Sequence, residues 1–216
     1  MKKVLVLIGI GLVAVAAVFV IAIMNHVDYS GAKEQASKVA ATSDAVEAFL
    51  DAEEFDEGKA SAFESAVAEA REALGKLAES SATKDSRVKD SIEQAQSEFT
   101  KLEKVEKIWS DAKLMQDLSD ENLAKLKTSE SEYLKKIAGE LSDYRKKLAD
   151  YREKYGEGKE QSQEIIKEFG EIWNEGEKLE QSVGEAKVED VLGMSRDDIM
   201  AFYAKIEELN KYLATK

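Results

Sequence analysis

The sequence predicts an all-α protein: an N-terminal transmembrane helix followed by an antiparallel helical bundle, or by elongated helical hairpins with coiled-coil-like packing. Three observations carry this reading. Val4 to Met24 is a run of 21 residues without a charged side chain. The chain has no Pro and only 12 Gly, and it is rich in Ala, Glu, Lys, Leu and Ser, a composition of long helices. Apolar residues recur at alternating steps of three and four through five or six segments, and no run alternates apolar and polar residues as a half-buried strand would.

The apolar run comes first. At 1.5 Å per residue it spans roughly 31 Å, about one hydrocarbon core. Lys2 and Lys3 precede it, and His26 and Asp28 follow it. The positive-inside rule then places the N-terminus in the cytoplasm and everything after Asn25 outside. This divides the chain into residues 1–27, a cytoplasmic tip and anchor, and residues 28–216, an acidic extracytoplasmic helical domain with candidate sub-units 28–118 and 119–216. A cleaved signal peptide is the competing reading, with Ala14-Val15-Ala16 as a small-residue cleavage site. Cleavage there leaves Ala17 to Met24 as an exposed apolar tail, so the uncleaved anchor is favoured.

In the rest of the chain, Gly31 to Glu54 reads as helix on Ala32, Ala36, Val39, Ser43, Val46 and Leu50. Asp44 with Glu47 suggests a capping box and a restart near Ser43. Lys59 to Glu79 places Phe63, Val67, Ala70, Leu74 and Leu77 on one stripe, and Ser80 to Asp85 reads as a loop. Ser86 to about Leu118 carries Val88, Ile92, Ala95, Phe99, Leu102, Val105, Trp109 and Ala112, and Ser119 to Asn122 reads as a turn opening a new helix. Leu134, Ile137, Leu141, Tyr144, Leu148, Tyr151 and Tyr155 then form the most regular stripe, extended backwards by Leu123 and Leu126 and ended by Gly156-Glu157-Gly158. Lys159 to Glu185 shows Ile166, Phe169, Trp173, Glu180 and Val183, flanked by Ile165 and Ile172. Ser195 opens the last helix with Asp198 in the capping-box position, and Ile199, Phe202, Ile206, Leu209 and Leu213 face inward. Glu53 to Lys59 echoes Glu153 to Lys159 a hundred residues later, either a duplicated helical unit or a recurrent way of turning between acidic helices.

Charge narrows the function classes. The whole chain carries a net charge of −13, and the part after the apolar run carries 29 basic against 44 acidic side chains, a net of −15. A phosphate binder needs a concentrated basic face, so nucleic acid is not an expected partner. The absence of Cys leaves stability to packing and leaves no thiol ligand or nucleophile. The only His is His26, beside the apolar run. Glu53, Glu57 and Glu64 with Gly58, and Glu153, Glu157 and Glu164 with Gly158, match part of a calcium-loop spacing. Their third position is Phe55 or Tyr155, which cannot ligate as a carboxylate does, so a turn between solvated helices is the better reading. No nucleophile elbow, phosphate loop or dinucleotide fingerprint occurs. The expected catalytic, cofactor-binding and metal residues are therefore none, and no cofactor is expected. Tyr133, Tyr144, Tyr151 and Tyr155 are read as packing residues with hydroxyls at the rim, and Trp109 and Trp173 as core anchors. Lys135, Lys136, Arg145, Lys146, Lys147 and Arg152 are read as a salt-bridged exposed face.

These observations lead to a first functional expectation: a membrane-anchored, non-enzymatic envelope protein acting as scaffold, spacer or interaction module, with other envelope proteins or copies of itself as partners. A ligand-sensing or accessory subunit of a membrane complex is the second reading. A carboxylate-dependent surface enzyme is the third.

Overall fold

The computed structural model describes residues 27–52, 56–156 and 163–216. Among the described residues there is no strand, and nine α-helices follow one another. They are α1 (Ser30–Ala41), α2 (Ser43–Leu50), α3 (Glu57–Ala78), α4 (Ser86–Ala112), α5 (Asp120–Leu126), α6 (Glu132–Tyr155), α7 (Gln163–Gly184), α8 (Val188–Leu192) and α9 (Arg196–Ala214). No helix of the described residues is long and apolar enough to cross a membrane. The Val4 to Met24 run and His26 lie outside the described residues.

Four long segments make the body. The α1–α2 pair, α3, α4 and α9 pack together, with α9 lying against both α4 and α1. Thus α9, from the second candidate sub-unit, completes the core begun by residues 28–118. The stripes predicted for α3 and α9 are all buried: Phe63, Val67, Ala70, Leu74 and Leu77 on the first, Ile199, Phe202, Ile206, Leu209 and Leu213 on the second. Phe49 stacks on Phe63 with ring centroids 4.3 Å apart, and Phe99 meets Phe202 at 5.0 Å. Many interior positions are Ala, which lets the helices approach closely and keeps the core narrow.

The helix boundaries follow the local chemistry. Asp56 caps α3 by accepting from the backbone N–H of Gly58 and Lys59. Ser119 caps α5, and Ser195 caps α9 with its Oγ accepting from Asp198 N and donating to the Asp198 carboxylate at 2.6 Å. The α1–α2 junction falls where the sequence places it, but not through Asp44 and Glu47. Thr42 sits at the break and is buried; its hydroxyl bonds to Val39 O at 2.7 Å and pairs with Tyr203 Oη at 2.9 Å. Burial pushes the Tyr203 phenol up to about 12. Glu47 instead pairs with Arg196 at 3.3 Å.

Three further boundaries differ from expectation. Ser81–Lys84 is a 3-10 turn with Ala82 fully buried, because the short connection between α3 and α4 needs a small apolar plug. Helix α4 ends at Ala112, and Lys113–Gln116 tightens into a 3-10 turn. The predicted backward extension of the fourth helix is a separate helix, α5. Its chain turns at Lys127 to Glu130 before Ser131 caps α6 by accepting from Leu134 N. Ser131 also donates its hydroxyl to Val191 O, and it is buried there. A continuous stripe does not require a continuous helix, since both pieces bury their Leu in the same place.

The termini of the described body meet at one end. Ser81 Oγ donates to Asp28 O at 2.8 Å, and the Asp85 carboxylate accepts from Tyr29 at 2.9 Å and from Tyr212 at 2.8 Å. These two phenols hold the Asp85 carboxyl down at about 2. A carboxyl whose folded value lies below its unfolded value near 4 adds stability above about pH 4, which is lost as pH falls through about 2. Asp85→Asn is therefore expected to lower the melting temperature at pH 6. It should also shrink the further drop between pH 4 and pH 2 relative to the unmodified chain. Equal acid slopes in both proteins, read by circular dichroism melts, would remove Asp85 from this role.

Candidate functional site

The feature that stands apart from the body is the hairpin of α6 and α7. The start of α6 is built into the protein, with Leu134, Ile137 and Ala138 buried. Beyond Leu141, which still packs on the core, the α6 stripe is only half-covered, with α7 against it. The sole buried residue of α7 is Ile172. Gly156 ends α6 with φ +59, a conformation that Gly adopts without a Cβ penalty, and its N–H donates to Arg152 O at 2.8 Å.

Tyrosines set the register between the two helices. Tyr133 donates to Ser182 O at 3.1 Å, Tyr151 to Ile165 O at 3.3 Å and Tyr155 to the Glu168 carboxylate at 2.6 Å. Tyr144 lies so close to Gly176 that a Cβ there would sit 2.5 Å from its hydroxyl. The expectation of apolar rings with rim hydroxyls holds, although these rings line a two-helix seam and not a deep core. Burial raises the Tyr133 phenol, and the Glu168 carboxylate raises that of Tyr155. Ion pairs close one edge of the seam, Lys147 to Glu175 at 2.6 Å and Lys154 to Glu168 at 2.8 Å. The basic residues of α6 are largely accounted for by such pairs, among them Arg145 to Asp120 at 2.9 Å and Lys135 to Glu132 at 2.6 Å.

The α7 stripe is where the sequence reading must be corrected. Ile166, Phe169, Trp173 and Val183 do not face inward; they are 58%, 44%, 56% and 39% exposed. The seam is made by their neighbours, the half-buried Ile165 and Leu179 with the buried Ile172. Trp173 is accordingly no core anchor, and its indole N–H donates to Glu177 at 2.8 Å. Trp109 is half-buried, edge-on to Phe49 at 5.0 Å. The physical reason lies in the width of the apolar arc. At 100° per residue, Ile165, Ile172 and Leu179 and then Phe169, Trp173 and Ile166 together cover about 140° of α7. A single partner helix covers only half of that. Phe169 touches both halves, with Tyr151 5.7 Å away on one side and Trp173 6.1 Å away on the other.

A second concavity lies where the hairpin leaves the body. It has a volume of about 690 Å³ and is walled by Phe49, Leu50, Trp109, Met115, Tyr133 and Leu134, with Asp51, Asp56, Lys59 and Glu189 at its margin. Among the described residues no group of three or more His, Asp or Glu side chains is placed to hold a metal ion. Of the acids in the calcium-like spacing, Glu57 lies in the first turn of α3 and Glu64 pairs with Lys113. Glu53 and Glu157 lie outside the described residues.

The molecule thus belongs to the class of all-helical proteins in which a compact bundle carries a protruding helical hairpin. Comparison with protein-family models, with curated proteins and with solved structures gave no match.

Proposed function

We propose that this chain is a membrane-anchored, non-enzymatic interaction module, held by residues 4–24 and displaying the α6–α7 hairpin outside the cytoplasm. The observation that carries the reading is the uncovered apolar face of α7 on a hairpin that the body supports only at its base. Exposed aromatic and aliphatic side chains grouped on one helix face are a common mark of a protein-contact surface. The geometry of attachment supports the same arrangement. Val27 and Asp28 enter the body at the end formed by Ser81 and Asp85, whereas the hairpin springs from the neighbourhood of Leu50, Ala112 and Met115, at the opposite end of the α1–α2 pair and of α4. An anchor at one end thereby places the interaction face away from the bilayer.

Fractionation tests the proposal. The full chain is expected to stay with membranes through an alkaline carbonate wash, while a chain beginning at residue 28 is released. Protease added outside intact spheroplasts should cut the full chain near the Gly156 turn. Release of the full chain by carbonate, or protection of the hairpin until lysis, would overturn it.

The junction cavity favours a second reading, a ligand-binding accessory subunit. Its volume lies within the range of small-molecule sites, and its walls are largely apolar. An apolar ligand bound there would change the Trp109 emission, and a Trp173→Phe background isolates that signal. No change with a panel of apolar probes would set this reading aside.

A further inference from the structure

We infer that the occupant of the exposed α7 face is the hairpin of a second copy of this chain, the two hairpins forming an antiparallel four-helix bundle. The inference rests on the interaction-module reading and names its partner. Two features of one hairpin are complementary to each other across a two-fold axis.

The first is the side on which the stripe lies. Glu168 and Glu175 sit on one flank of the α7 seam, where they meet Lys154 and Lys147. Ile166, Phe169 and Trp173 lie on the other flank, by the 100° rotation per residue. On α6 that same open side is occupied by Leu148, Arg145 and Arg152, which are rotated away from Lys147 and Lys154. The open side of the hairpin is therefore apolar and acidic along α7, with Glu177 beside Trp173, and basic along α6. Arg152 forms no ion pair among the described residues, and the pair of Arg145 with Asp120 is solvent-exposed and readily exchanged.

The second feature is level. Tyr144 stands opposite Gly176 and Tyr151 opposite Phe169, so Arg145 is at the height of Trp173 and Glu177, and Arg152 at the height of Phe169. A two-fold axis parallel to the helices lays α6 of one copy over α7 of the other without changing these heights. Arg145 then meets Glu177 of the second copy, and the Arg152 guanidinium covers the Phe169 ring of the second copy. Leu148 fills the space between Phe169 and Trp173. The contact is isologous, so both halves of the interface form at once and it closes at two copies. A two-fold axis set normal to the bilayer would let both N-termini anchor in one membrane, consistent with the anchored-module reading.

Light scattering on the full chain purified in detergent tests this, with the detergent mass subtracted. The expected result is two copies per particle. Trp173→Glu, at an exposed position that leaves the helical signal unchanged, should raise the dissociation constant about 30-fold or more, as the loss of a central aromatic contact does. Arg145→Glu should weaken the pair, and adding Glu177→Arg to it should restore it. One chain per particle at all concentrations would overturn the inference, as would a two-copy particle unaffected by Trp173→Glu, which would place the contact in the anchor. In the first case, retention of the chain in the membrane fraction would leave the anchored-module reading standing.

Discussion

Phe202→Ala is expected to destabilise the protein by about 3–5 kcal/mol, the range for removing a fully buried aromatic ring from a packed core. Phe202 has no exposed surface, and its ring meets Phe99 at 5.0 Å and Tyr203 at 4.9 Å. Its loss opens a void at the contact of α9 with α4, the most extensive helix pairing in the molecule. The surroundings cannot close that void easily, because the buried side chains of α1, which also packs against α9, are Ala32, Ala36 and Val39, too short to swing in. With ordinary domain stabilities of 5–15 kcal/mol, such a loss removes much of the total. The paired measurement is Phe169→Ala, in which an equal number of atoms is removed from a ring that is 44% exposed. That change should cost under about 1 kcal/mol in urea melts at low protein concentration. Equal shifts of the two urea midpoints would mean that α9 is not central to the core.

The contrast between those rings shows what was legible in the sequence. The all-α class, the stripes of α3 and α9, and the Ser119 and Ser195 helix starts follow from three-and-four spacing and capping chemistry alone, since each stripe has one partner surface and one acceptable phase. Helix α4 departs slightly, burying Ile108 where the spacing favours Trp109, because Phe49 takes the indole edge-on at the rim. Helix α7 departs completely. Its Ile165, Ile172 and Leu179 set and its Ile166, Phe169 and Trp173 set are each regular, and periodicity cannot say which of two adjacent apolar sets meets α6. The bulkier, aromatic set looks like the better core, yet the seam takes the smaller residues, since Tyr144, Tyr151 and Tyr155 of α6 already fill it. Gly176 was the available signal: a residue without a side chain within the seam marks where a partner ring lies close. The uncovered face of α7 was thus written in the sequence, but as a surplus of apolar width, visible only once α6 had been seated against it.

Hydrogen exchange should divide the chain along the same line. Local opening of a segment depends on what apolar surface it must expose, and segments range from nearly free opening up to the global stability. Opening α7 exposes one buried side chain, Ile172, with a few half-buried neighbours, whereas opening α4 exposes seven buried residues from Val88 to Ile108. The ion pairs along the hairpin edge, Lys147 to Glu175 and Lys154 to Glu168, are solvent-exposed and add little. At dilute concentration the amides of α7 and of α6 beyond Leu141 are therefore expected to exchange at least about 100-fold faster than those of α4 and α9, equivalent to roughly 3 kcal/mol or more in opening free energy. Uniform protection across α4, α7 and α9 would contradict the view that the hairpin is supported only at its base. Raising the protein concentration gives the discriminating variable: protection that grows in α6 and α7 alone, while α4 and α9 stay unchanged, places the second copy on the hairpin and nowhere else.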